Sequence, residues 1–301
     1  MQNIKVGLIG GSGLGQALLS TASGEEYYPQ TPFGRPSSPI ICTQWEGIDI
    51  AVLARHGVGH TFSPSYIPFQ ANIFALKKLG VTHIIASGAA GSLREDVHPG
   101  DLVIPDQIID KTHKRETSFF GKGIVVHVEF DQPFCGNLRK VLLDAGKNLS
   151  QPITVHDGGT YICMEGPQFS SMAESQMHRS WGGTVIGMTA MPEAKLAREA
   201  EICYSLIAMP TDYDCWKPRP AGRAKCDVLS EIISNMNKAT ELAIKLIKKA
   251  LALMPKMVDP ECHCQKSLEL GIWTDRTKIA PATVRELEPL VGKYLGFAPK
   301  C

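Results

Sequence analysis

The stretch Ile4-Lys5-Val6-Gly7-Leu8-Ile9-Gly10-Gly11-Ser12-Gly13 decides how this chain is read. A short apolar, β-rich run that stops at a cluster of glycines is a buried strand entering a tight loop. The same grammar recurs downstream. Ile48–Ala54 reads as a second strand, stopping at Arg55-His56-Gly57, and residues 81–87 as a third, running into a Gly88-Ala89-Ala90-Gly91-Ser92 loop. Residues 101–105, 185–188 and 202–209 read as further strands, the last delivering Thr211-Asp212-Tyr213-Asp214 to its carboxyl end. Helical stretches lie between them. Residues 67–79 are closed by Gly80 at a C′ position, and residues 193–201 follow Pro192, where a helix can start. Over residues 227–253, Leu229, Ile232, Ile233, Met236, Ala239, Leu242, Ala243 and Leu246 recur at i, i+3, i+4 and i+7, the stripe of a core-facing helix. Strands alternating with helices predict an α/β fold: a single domain with a mixed, largely buried central β-sheet flanked by helices. Residues 1–254 form the domain in this reading, and 255–301 a C-terminal extension packed on it.

Composition narrows the function classes. Among 301 residues, 44% are hydrophobic and 20% charged, as in a globular chain with a real core. The balance of 31 basic against 30 acidic side chains provides no basic stripe for nucleic acid. The N-terminal apolar run is too short for a signal segment, and Lys245, Lys248 and Lys249 interrupt the most apolar helix, which argues against a membrane span. Nine cysteines, an odd number, several of them inside apolar runs, read as buried thiols in a reducing compartment. The expectation is a cytoplasmic protein.

Polar residues collect where strands end, which is where open α/β sheets bind ligands. Gly10-Gly11-Ser12-Gly13 offers backbone N–H groups and a hydroxyl to a small anion. Arg55 and His56 suit phosphate oxygens, Thr189 adds a hydroxyl after another strand, and Asp212 and Asp214 supply a carboxylate pair. Each motif alone has a plainer reading as a turn, a solvated pair or a helix cap. The glycine spacing departs from the dinucleotide fingerprint and the loop has no Walker lysine, so a bound cofactor is not expected. Taken together they make an anion site facing carboxylates able to hold a purine, a set that needs no nucleophilic side chain or metal if phosphate itself is the nucleophile.

The chain resembles the methylthioadenosine phosphorylases, within the trimeric purine nucleoside phosphorylases. The resemblance is carried by Gly7-Leu-Ile-Gly-Gly-Ser-Gly-Leu14, Thr31-Pro-Phe-Gly-Arg-Pro36, Ala54-Arg-His-Gly57 with His60, Gly91-Ser-Leu-Arg94, Pro99-Gly-Asp-Leu-Val103, Met164-Glu-Gly-Pro-Gln-Phe-Ser-Ser171, Gly187-Met-Thr189, Met191-Pro-Glu193 and Thr211-Asp-Tyr-Asp-Cys-Trp216, in order over roughly the first 250 residues. It implies phosphorolysis of 5′-methylthioadenosine, with no cofactor beyond phosphate as co-substrate. Ser12, Arg55, His56, Thr189 and backbone at Ala89 would bind phosphate. Met188 would pack on the ribose and Phe169 on the purine. Asp212 would hydrogen-bond or protonate N7, and Asp214 would read the 6-amino group. Val228 and Leu229 would wall the methylthio group, and His127 would reach a neighbouring subunit's site in a homotrimer.

Three positions depart from the family pattern: Lys225 where an apolar residue stands near the 5′ pocket, Gly88 where a threonine can stand, and Gly187 where an asparagine can stand. Broader or 6-oxo purine nucleosides are the alternative substrates, and an inactive nucleoside-binding module the alternative class. Cys262-His263-Cys264 lacks a fourth ligand nearby in sequence, so no metal site is expected there; some members of the family it resembles carry a C-x-C pair near this end, which keeps a redox or structural disulfide as the alternative to the free thiols read here.

Overall fold

The computed structural model describes residues 4–149, 153–218 and 225–296. In chain order the elements begin β1 (Lys5–Gly10), α1 (Leu14–Thr21), β2 (Glu25–Tyr27), β3 (Ile40–Trp45), β4 (Ile48–Ala54), α2 (Phe69–Lys78) and β5 (His83–Ser92). There follow β6 (Leu102–Ile104), β7 (Gln107–Asp110), α3 (Gly136–Lys147), β8 (Val155–Asp157), β9 (Thr160–Cys163), α4 (Met172–Ser180) and β10 (Gly183–Gly187). The chain continues through α5 (Glu193–Glu199), β11 (Cys203–Asp212), α6 (Lys225–Met257), α7 (Pro281–Glu286) and α8 (Glu288–Leu295).

The strands form one mixed sheet. Its spine runs β2-β3-β4-β1-β5-β10-β9-β7, with β11 pairing β5 and β6, and β6 also pairing β8. β4, β1, β5 and β11 are mutually parallel and buried on both faces, which is why they read as continuous apolar runs. Alternate residues feed opposite cores. Ile9, Ile84 and Leu206 pack with α2, α5 and α8 through Ile73, Ala197 and Val291. Leu8, Ile85 and Ile207 pack with α1, α3 and α6 through Leu18, Leu142 and Leu246. The mixed α/β architecture expected from the sequence is therefore present. The C-terminal residues Leu268, Ile279, Leu287 and Leu290 share the first of these cores.

Two expectations are corrected. Residues 88–92 are not a loop but the second half of β5. Gly88, Ala89 and Ala90 pair with Ala208, Met209 and Pro210, while Gly91 and Ser92 pair with Ile186 and Val185. Local composition suggested a turn, and ladder bonds on both edges override it. The long helix does not stop before Pro255. α6 includes that residue near its end, where few intrahelical bonds remain to be lost, and Val258 N–H still bonds to the Met254 carbonyl at 3.0 Å. No helix among the described residues is long and apolar enough to cross a membrane.

Leu246 is fully buried in the α6–sheet core. Leu246→Ala should destabilise the fold by about 3 kcal/mol in chemical denaturation, as large-to-small changes in well-packed cores do.

Candidate active site

Four parallel strands bring their carboxyl ends together. β1 closes with Gly10 opposite Ala54 of β4, so Arg55 emerges beside the glycine loop, its backbone N–H on the Gly10 carbonyl at 2.9 Å. Gly11 is required by close approach. A Cβ there would lie 2.7 Å from Arg55 Nη1 and 2.8 Å from the Ser87 carbonyl. Ser12 is half-buried in the turn just ahead of α1.

Arg55 is entirely buried. Its Nε and Nη2 donate to the two carboxylate oxygens of Glu193 at 2.7 and 2.8 Å, and Nη1 donates to the Ser87 carbonyl at 2.7 Å. Glu193 Oε1 also accepts the Tyr204 hydroxyl at 2.8 Å. Burial opposes the guanidinium's charge, but the Glu193 carboxylate more than offsets it and holds the group above its ordinary range. A guanidinium carries five N–H donors. Three of them are taken by Glu193 and Ser87, and Nη1 lies against Gly11. Thr189 approaches the same strand, its Oγ1 placed 3.6 Å from where a Gly88 Cβ would stand. Ala89, next along β5, is partly open.

His56 is buried, stacks on His60 with ring centroids 4.2 Å apart, and sets Nδ1 2.8 Å from the Phe62 carbonyl. A carbonyl only accepts, so Nδ1 carries the proton and Nε2 of the neutral ring is left as an acceptor. Burial, with a smaller push from Arg55, lowers this imidazole to about 4.

The second half of the site lies at the end of β11. Asp212 Oδ2 accepts the Thr211 hydroxyl at 3.1 Å, and Oδ1 accepts the Asp214 backbone N–H at 2.7 Å. That turn reverses at Asp214, whose φ is 51°. Asp214 Oδ2 accepts the hydroxyl of Ser175 on α4. Gly91 makes room for this. A Cβ there would come within 3.1 Å of the Asp214 side chain. Asp212, Asp214, Val228, Glu231 and Ile232 line one cleft.

The remaining expected residues divide. Met188 lies against Gly166, and its carbonyl accepts Arg115 Nη1 at 2.6 Å. Phe169 is 84% exposed on the loop before α4, and the Ser170 carbonyl ties that loop to the Cys215 thiol at 3.2 Å, next to the Asp212–Asp214 turn. Val228 reaches the cleft, whereas Leu229, one residue on, is 58% exposed on α6. His127 is exposed, with its N–H on the Gly271 carbonyl at 2.9 Å and its ring edge-on to Trp273, so within one chain it belongs to the C-terminal segment's surface. The side chain of Lys225 lies outside the described residues. Gly187 leaves no hole, because a side chain there would run into the hydroxyl of the buried Tyr161.

Sequence reasoning missed the supporting residues. Glu193 stood inside a quoted motif without a role, although a buried arginine requires a carboxylate. Arg115 is the other omission. It ties together the carbonyls of Met188, Met191 and Glu165 (2.6, 2.5 and 2.7 Å) and the Glu165 carboxylate at 3.2 Å. Nothing in its local sequence, Lys114-Arg115-Glu116, marks it apart from a solvated charge run.

Comparison with known proteins places these features in company. The phosphorylase superfamily profile matches residues 5–252. An S-methyl-5′-thioadenosine phosphorylase of Koribacter versatilis is 44% identical over 292 residues, covering 97% of each chain. One of Synechocystis is 45% identical over 300 residues, 99% of this chain and 90% of the other. Among solved structures, a methylthioadenosine phosphorylase from an Antarctic soil metagenomic library superposes with a TM-score of 0.85 at 39% identity, over 96% of this chain and 99% of that one. The Schistosoma mansoni methylthioadenosine phosphorylase in complex with adenine gives 0.79 at 33% identity, over 89% and 96%.

Two outcomes follow from the geometry. Glu193→Gln strips the buried Arg55 of its counter-charge and should cost about 3–5 kcal/mol of stability by denaturant titration. His56 is neutral when folded, at about 4, and ordinary when unfolded, near 6.5, so the unfolded chain binds more protons between those values. Its contribution is intact above about pH 6.5 and is lost as pH falls towards 4, by about 3 kcal/mol. His56→Asn, which keeps a donor for Phe62, should flatten that part of the stability–pH curve.

Proposed function

The chain belongs to the phosphorylase superfamily, among the S-methyl-5′-thioadenosine phosphorylases, and from that premise we propose that it cleaves 5′-methylthioadenosine with inorganic phosphate, yielding adenine and 5-methylthioribose 1-phosphate. One observation carries the reading to the site: a buried, charge-compensated Arg55 beside a glycine turn on one strand end, with the Asp212–Asp214 turn on another strand end of the same sheet.

In this reading Ser12, Arg55, His56, Thr189 and the Ala89 backbone hold phosphate. The Nε2 lone pair of neutral His56 accepts a phosphate P–OH, so binding favours the protonated anion. Phosphate affinity weakens as pH rises above neutrality, and the slope is lost in His56→Ala. Phe169 covers the purine and Met188 the ribose. As the C1′–N9 bond lengthens, negative charge grows on the purine and positive charge on the sugar. Asp212 meets the purine at N7 with a hydrogen bond or proton, and a preorganised group of that kind contributes roughly 3 kcal/mol. Phosphate held in line on the opposite face of C1′ then forms the new bond, with much of the entropic barrier already met by binding. Asp214 accepts the 6-amino group, and Val228 faces the methylthio group. Phosphate is the nucleophile, so the reaction calls for no cofactor. We place the enzyme in the cytoplasm as a homotrimer, in which His127, exposed on each chain, completes a neighbour's 5′ pocket.

The test is release of free base from methylthioadenosine and from inosine, each with and without phosphate. The account expects phosphate-dependent adenine release at a much higher kcat/KM than for inosine. Asp212→Ala should lower kcat by about 10²–10³ with a smaller change in KM. Release from inosine instead would overturn the carboxylate-pair account, and release from neither would remove the catalytic reading.

A further inference from the structure

The fold overturns the reason for discounting a metal at Cys262-His263-Cys264. The ligands absent from that local sequence arrive from far away. Cys203 opens β11, Cys135 caps the N-terminus of α3, and both meet Cys262 and Cys264, which follow α6. All four side chains are buried, and their four Sγ atoms lie within 4.8 Å of one another. Cys135 Sγ and Cys262 Sγ are 3.6 Å apart. A tetrahedral tetrathiolate with metal–sulfur bonds of about 2.3 Å has sulfur–sulfur edges of about 3.8 Å. The cluster needs only a small contraction to reach that shape.

The surroundings suit thiolates rather than thiols. The Leu138 N–H at the α3 N-terminus donates to Cys135 Sγ at 3.5 Å, and Gln265 Nε2 donates to Cys203 Sγ at 4.0 Å. N–H donors of this kind and the positive end of a helix stabilise sulfur anions. A separate observation points the same way. His83 stands directly opposite Cys203 in the β5–β11 register, so the two side chains share one face of the sheet. Its Nδ1 meets Thr82 Oγ1 at 2.8 Å, while its Nε2 is buried and has no partner among the described residues. An unsatisfied nitrogen in an apolar interior is costly. A neighbouring thiolate shell would satisfy it and would gain a donor in return.

We propose that Cys135, Cys203, Cys262 and Cys264 are the four ligands of a structural zinc ion that ties the C-terminal segment to β11 and α3. Zinc is the divalent ion that a closed four-sulfur shell suits best, having no redox chemistry and no open position to fill. Binding converts four thiols to thiolates and releases four protons for each ion taken up. The pinned segment includes Leu268, Gly271 and Trp273, so the ion also steadies the surface against which His127 rests.

The test uses the full chain purified under reducing conditions without chelator. Elemental analysis should find about one zinc per chain. Adding cobalt to the reduced, metal-stripped protein should produce the visible and charge-transfer bands of a tetrahedral tetrathiolate. Cys203→Ser and Cys264→Ser should each lose most of the zinc, while Cys42→Ser and Cys226→Ser, outside the cluster, should retain it. A strong chelator should lower the Tm of the wild type by about 5 °C or more. If the cluster variants do not fold, the wild-type cobalt spectrum decides. Failure of the reduced protein to take up zinc or to give tetrathiolate bands overturns the proposal. So does an unreduced intact mass short by four hydrogens with no zinc, which would mean that the same cysteines pair as disulfides.

Discussion

The buried Arg55–Glu193 pair is the constraint around which the strand-end region is arranged. A guanidinium with no solvent exposure has to be matched in charge and in geometry, and Glu193 does both with a two-pronged contact at 2.7 and 2.8 Å. That contact ties the end of β4 to the start of α5. Tyr204 extends it to β11, and the Ser87 carbonyl extends it to β5. The result is a cationic corner whose guanidinium is held by Glu193 and by the Ser87 carbonyl. Preorganisation of this sort is what an anion site in a dry interior requires, because the charge cannot be reoriented cheaply there.

The sheet's topology does the rest of the positioning. β5 lies between β1 and β11 for its first half and turns its second half to β10, so one strand touches the glycine loop, the Thr189 side and the Asp212 turn. Glycines at positions 88 and 91 thin that strand where Thr189 and Asp214 come closest. The glycine loop and the Asp212 turn are thus carried by strands that flank β5 in one sheet.

Much of this was legible along the chain. The apolar runs before Gly10, Arg55 and Asp212 marked the parallel core strands, because strands buried on both faces have no polar alternation to blur them. The periodic stripe from Leu229 to Leu246 marked α6. What stayed hidden was long-range. The extension of β5 through Gly88–Ser92 depends on two partner strands that composition does not reveal. Glu193 and Arg115 look like ordinary surface charges until their partners, 138 and 50 residues away, are known. The four-cysteine cluster spans Cys135 to Cys264, and no local spacing rule reaches that far. His127 was identified by resemblance, and a single chain places it on a surface beside Trp273.

In the proposed function, one anion and one purine occupy adjacent places at these strand ends. The most direct measurement is a crystal structure of the protein with phosphate and adenine bound. Phosphate oxygens are expected within hydrogen-bonding distance of Arg55, His56 Nε2 and Thr189 Oγ1, and adenine beside Met188 and Phe169 with N7 facing Asp212. Phosphate bound elsewhere, or adenine turned so that Asp212 and Asp214 face neither N7 nor the 6-amino group, would contradict it.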